Sequence, residues 1–147
     1  MRLSSGIRLG HVNLEVSDLA RSREFYDVLL PVLGFRRRPK TGRYWLGYRR
    51  GLMSIWLTVS RPRVSSKKRP RVPTDGGKDP ISDHLGFWVP STVQIRRIEK
   101  ALKAKGLVPV YELDRVKVWG GLWYVSDAWA DPDHNVLELY TLTRRRE

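Results

Sequence analysis

Polar and apolar residues alternate from Leu9 to Val16, with His11, Asn13 and Glu15 on one face and Val12, Leu14 and Val16 on the other. A period of two predicts a strand with one buried face. Ser17-Asp18 reads as a helix N-cap, because a short side-chain oxygen can accept from the first free N–H groups. Over 20–32 the period becomes helical, and Ser22, Phe25, Tyr26, Leu29, Leu30 and Leu33 fall on one side. Gly34 stops this helix, and Pro31 predicts an irregular last turn. Residues 35–39 read as a short basic strand, and 43–48 with 52–60 as a hairpin around Arg49-Arg50-Gly51.

Residues 61–80 break the pattern. They are rich in Pro, Arg, Lys, Ser and Gly, nearly devoid of apolar side chains, and read as an exposed basic connector. Its run Lys67-Lys68-Arg69-Pro70-Arg71 has no interleaved aromatic residue to stack on bases, so a solvated linker is expected and nucleic acid is not expected as a partner. The pattern then restarts. Residues 83–89 form a strand, and Ser91-Thr92 caps a helix carrying Val93 or Ile95, Ile98 and Leu102 on its apolar side. Lys100, Lys103 and Lys105 lie toward that helix's negative C-terminal end, and Gly106 stops it. Strands are expected over 107–112, 116–119, 122–129 and 135–142.

The closing stretch carries the first chemical signal. Asp131-Pro132-Asp133-His134-Asn135 reads as a tight turn feeding a short apolar strand. Val136 and Glu138 share one face of that strand; Leu137 and Leu139 take the other. An unpaired buried carboxylate is costly, so Glu138 must face solvent, a cationic partner or a metal. His134 is expected to serve the turn, where a left-handed backbone is tolerated.

Composition narrows the classes. With 147 residues, 41% hydrophobic and 10% aromatic, the chain can build one globular core. The absence of cysteine excludes disulfides, thiolate metal sites and a thiol nucleophile. No apolar run approaches the roughly 20 residues of a membrane helix, and the N-terminus has no apolar leader core, so a cytoplasmic location is expected. A net charge of +13 attracts anions and keeps the chain soluble. Scarce amides, with one glutamine (Gln94) and two asparagines (Asn13, Asn135), and many charges point weakly to a thermophile.

The two halves also repeat. Gly10-His11-Val12-Asn13-Leu14-Glu15-Val16 aligns with Asp83-His84-Leu85-Gly86-Phe87-Trp88-Val89, and Leu33-Gly34-Phe35 with Lys105-Gly106-Leu107. Met53-Ser54-Ile55-Trp56-Leu57-Thr58 aligns with Val136-Leu137-Glu138 and its flanks, which sets Trp56 opposite Glu138. Each half is therefore strand, helix, then three strands. With the run Ser22-Arg23-Glu24-Phe25-Tyr26-Asp27 and the closing Asp-Pro-Asp-x-Asn-Val-Leu-Glu-Leu, the chain resembles the vicinal oxygen chelate superfamily. That group includes glyoxalase I, bleomycin-resistance proteins, fosfomycin-modifying enzymes and type I extradiol dioxygenases.

The resemblance implies an α+β fold: two paired βαβββ modules, about 7–60 and 81–143 of one domain spanning 1–147, forming an open barrel-like mixed sheet with helices outside. It commonly implies a homodimer. It also implies metal ligands at four positions, His11, Trp56, His84 and Glu138. Indole has no lone pair for a cation, so Trp56 cannot ligate. The remaining His11, His84 and Glu138 match a facial triad suited to one divalent metal, Fe(II), Mn, Ni, Co or Zn. Trp56 in a ligand position would narrow the site and favour an aromatic ligand. It also removes one of two carboxylates that the family's isomerases use, which counts against glyoxalase I proper. Extradiol helpers are missing too: the tyrosine position of that motif falls on Ala128, and no histidine lies between His84 and His134. Tyr124 on the neighbouring strand is the candidate substitute, with Glu138, for acid–base work. Trp45, Trp88, Trp119, Trp123 and Trp129 are expected mostly in core and dimer contacts. The reading is a metal-dependent glyoxalase- or dioxygenase-like enzyme acting on a small aromatic or anionic compound. The alternative is a metal-free small-molecule binding protein of the bleomycin-resistance kind.

Overall fold

A computed structural model of the chain describes residues 8–59 and 84–144. The basic connector expected over 61–80 and the end of the charged tail lie outside the described residues. The first module runs β1 (His11–Val16), α1 (Leu19–Val32), β2 (Arg36–Arg37), β3 (Trp45–Arg50) and β4 (Met53–Val59). The second runs β5 (His84–Trp88), α2 (Thr92–Lys103), β6 (Tyr111–Lys117), β7 (Trp123–Ala130) and β8 (Val136–Thr143). Each module is a four-stranded mixed sheet, ordered β1-β4-β3-β2 and β5-β8-β7-β6. The first and last strands of each module pair in parallel, joined by a crossover that contains the helix.

Local chemistry sets the element ends. The Asp18 carboxylate accepts from the Ala20 and Arg21 N–H groups, and the Ser91 hydroxyl from that of Gln94. Gly34 and Gly106 close the helices at φ 84° and 85°, a backbone region nearly free of cost only for glycine. The expected helical face of α1 is buried in full. His134 sits at φ 66°, the left-handed turn position expected of it.

The core lies between the helices and one face of each sheet. Ile55, Leu57, Leu46 and Tyr48 meet α1, while Leu137, Leu139 and Trp129 meet α2. The modules join through this core: the Phe35 and Phe87 rings meet edge to face at 6.0 Å. Both sheets keep their other faces open, with Trp45 38% and Trp88 61% exposed there.

The expected α+β arrangement of two βαβββ modules is present, open and not closed into a barrel, as two four-stranded sheets in which β1 and β5 are edge strands. One expectation needs correction. The strands expected over 107–112 and 116–119 are one strand, β6, followed by a short 3₁₀ turn at Trp119–Gly121. Gly120 and Gly121 take positive φ in that turn, and a register shift between Tyr111 and Asp114 breaks the alternation that the sequence reading relied on.

The internal repeat is reproduced in the pairing register. Asn13, two residues after His11, pairs with Trp56; Gly86, two residues after His84, pairs with Glu138. His11 and His84 therefore hold equivalent positions, as do Trp56 and Glu138.

Candidate functional site

Glu138 lies on the open face of the second sheet, because Leu137 and Leu139 on either side are drawn into the core. The residue is nevertheless only 6% exposed. Its carboxylate accepts from two phenols and stands beside an imidazole, the three side chains coming from three strands. Tyr124 on β7 donates to Oε2 at 2.6 Å, and Tyr111 on β6 donates to Oε1 at 3.2 Å. His84 Nε2 on β5 lies 3.2 Å from Oε2. Hydrogen bonds to a carboxylate are among the stronger ones, so Glu138 is held in one orientation.

The neighbours explain why the group can form. Tyr124 and Tyr140 stack at 5.3 Å with ring planes 13° apart, which fixes the Tyr124 ring. A Cβ at Gly86 would come within 3.3 Å of the Tyr140 ring and 3.6 Å of Glu138 Oε2, so glycine keeps this corner open. The bulge in β6 turns Tyr111 toward Glu138 while Leu113 still packs on the core. Burial, with the Glu138 hydrogen bond next, raises the Tyr124 hydroxyl well above the ordinary tyrosine range. Burial also pushes Tyr111 up to about 12; the hydrogen bond with Ser126 opposes that rise and the Glu138 charge adds to it. Both phenols therefore remain protonated donors at neutral pH.

The structure thus brings together His84, Glu138 and Tyr124 of the expected residues and adds Tyr111. No simple alternation pointed to Tyr111, since the bulge shifts its register. His11 stands on β1, on the open face of the other sheet. Among the described residues no three metal-competent side chains gather. Trp56 shares the face of His11. Its ring lies over Gly47, meets Trp45 edge to face at 5.5 Å and carries the Arg38 guanidinium 5.1 Å from its centre.

A family model described as the glyoxalase/bleomycin resistance protein/dioxygenase superfamily matches residues 8–139. No curated protein sequence matches the chain. Among solved structures, a glyoxalase candidate of Bacillus halodurans is 26% identical with a TM-score of 0.66, covering 93% of this chain and 96% of its own. A glyoxalase/bleomycin resistance protein/dioxygenase from Alicyclobacillus acidocaldarius is 17% identical with a TM-score of 0.64, covering 91% and 90%. A lactoylglutathione lyase from Agrobacterium tumefaciens is 17% identical with a TM-score of 0.60, covering 94% and 95%. The last two likenesses concern the fold alone.

Proposed function

The chain belongs to the glyoxalase/bleomycin resistance protein/dioxygenase superfamily, and from that premise we propose that it is a metal-dependent enzyme of the lyase or dioxygenase kind, acting on a small molecule at Glu138. One observation carries the reading. A nearly buried carboxylate sits on an otherwise open sheet face, oriented by two tyrosines and 3.2 Å from an imidazole nitrogen. A purely structural role gives little reason to set a charge there, since burying it costs free energy.

The donor set fits a divalent cation in part. His84 Nε2 and Glu138 Oε2 converge and both are competent ligands; the tyrosines orient the carboxylate as outer partners do at metal sites, Tyr111 through Oε1 and Tyr124 through the shared Oε2. His11 occupies the equivalent position of the other module and completes the set when a second copy brings its first sheet over this face. A bound metal would supply Lewis-acid polarisation of substrate oxygens. The protein's own part is positional. Tyr124 holds its proton on the hydroxyl and keeps Oε2 fixed; Tyr111 does the same for Oε1. Tyr140 and Trp88 add apolar surface beside the carboxylate.

A second reading is favoured by Trp56, an indole where the register places the counterpart of Glu138. This is a metal-free protein that sequesters a flat ligand. Elemental analysis of protein purified without chelator or affinity tag separates the two. About one metal per chain is expected in the wild type, with loss in His84→Ala and in Glu138→Ala. Absence of metal after incubation with Fe(II), Mn, Ni and Zn would remove the enzyme reading and leave the binding protein.

A further inference from the structure

The open face of the first sheet carries a cluster that metal chemistry does not need. Arg36 on β2 pairs directly with Arg49 on β3, and Arg49 in turn with Ser54 on β4. Directly opposed residues share a face, so both arginines lie on the side of Trp56 and His11. Arg38 follows Arg36 by two, its N–H donates to the Gly47 carbonyl at 2.8 Å, and its guanidinium lies over Trp56. Like charges directly across a sheet destabilise it. Among the described residues, no carboxylate pairs with Arg36, Arg38 or Arg49. The neighbouring Arg37 points the other way and is paired with Asp27 at 3.0 Å. Among the described residues of this sheet, the one acid on the open face is Glu15, which pairs with Thr58 in the row of Trp45, away from the Arg36–Arg49 row.

The two indoles beside these arginines are built in. A Cβ at Gly47 would meet the Trp56 ring at 2.5 Å, and one at Gly42 the Trp45 ring. Glycine at each position admits a ring flat against the backbone. Sheet-packed Trp56, edge-on Trp45 and a guanidinium stacked over the first ring form a preorganised corner with uncompensated positive charge beside it. Guanidinium forks match planar oxyanions, and indole edges match planar rings.

We propose that this corner binds a planar aromatic carboxylate, its oxyanion on Arg38 with Arg36 and Arg49 behind, and its ring against Trp45 and Trp56. The assignment rests on the preceding reading only for the idea that this face and Glu138 enclose one substrate. The binding step itself needs the first sheet alone.

Calorimetric titration of the full chain with 2-naphthoate tests it, in about 0.15 M salt where long-range attraction is screened. EDTA is present throughout, so metal occupancy plays no part. Naphthoate is expected to bind at least tenfold tighter than its neutral isostere 2-naphthalenemethanol and than acetate. Arg38→Gln is expected to weaken naphthoate at least tenfold. Because Arg38 also packs on Trp56, the exposed Arg36→Gln is titrated beside it and is expected to weaken binding several-fold without lowering the melting temperature, since it also relieves the Arg36–Arg49 repulsion. Equal affinity for acid and alcohol, or full affinity in both arginine variants, would overturn the proposal. So would binding of an oligothymidylate without binding of naphthoate, which would make the face a polyanion surface. A positive titration stands even if elemental analysis finds no metal, and a metal-loaded protein that ignores naphthoate rejects this assignment alone.

Discussion

Asp127 sits on β7 with its side chain turned toward α2, the face opposite Glu138. It is fully buried, and neither carboxylate oxygen has a hydrogen-bond partner among the described residues. Burial pushes its acid up to about 7; the Trp129 indole opposes the rise, Glu99 and Glu138 add to it and Lys103 offsets it. The ordinary value is 3.8, so the fold prefers the neutral acid. Its contribution is then complete below about pH 4, declines as pH rises and is lost above about 7. At about 1.4 kcal/mol per unit, the loss is on the order of 4 kcal/mol. Asp127→Asn keeps the shape and removes the ionisation. Urea midpoints at several pH values are expected to show the variant gaining on the wild type between pH 4 and 7, with a constant lead above that. A pH-independent difference would contradict the assignment. Nothing in the sequence marked this residue, because an alternation of polar and apolar positions places Asp127 on one face without saying that the face is sealed. Tyr124 and Glu138 were legible, being an even number of residues from positions whose side was clear. Tyr111 was not, since one bulge cancels any counting along β6.

At the scale of elements, the turn before β8 holds the two modules together. The Asp131 carboxylate accepts from the Asp133 and Asn135 N–H groups at 2.8 Å each, from Asn135 Nδ2 at 2.7 Å and from the Tyr26 hydroxyl of α1 at 2.9 Å. Asp133 reaches the start of α1, accepting from the Ser17 N–H at 2.7 Å, the Ser17 hydroxyl at 2.6 Å and Arg21 at 3.2 Å. Asn135 donates to the Glu15 carbonyl at the end of β1. The sequence revealed a tight turn here, but contacts more than a hundred positions apart have no local signature; only the resemblance hinted that the motif mattered. Asp131→Ala strands several buried donors at once, including the Tyr26 phenol, whose ionisation burial already opposes. A loss of about 3 kcal/mol or more is expected, read as a lower thermal midpoint. Ser17→Ala removes two rim contacts, the hydroxyl's bond to Asp133 and the one it accepts from Arg21, keeps the Ser17 N–H bond, and is expected to cost about 1 kcal/mol. Equal effects would mean that the turn is not the fastening point.

For the whole molecule, the proposed metal set requires His11 to reach the His84–Glu138 pair, which lies on the other sheet. The repeat gave the fold readily, because each half is too small to bury a sheet face and the pattern restarts after the connector. It did not give the relation between the halves, which depends on contacts between edges and helices. In one chain the two open faces belong to separate sheets and expose Trp45 and Trp88. Covering both faces with a second copy would remove this apolar surface from water and bring one copy's first sheet over the other's second. A closed two-fold pair does so twice, giving two equivalent sites. Complementation tests this arrangement. His11→Ala and Glu138→Gln chains, purified separately, are each expected to hold little metal. When the two are co-expressed, random pairing makes about half of the dimers mixed. Each mixed dimer has one intact set, so about a quarter of the wild-type metal content is expected to return. Were His11 supplied within its own chain, every chain in the mixture would carry a broken site and none would return.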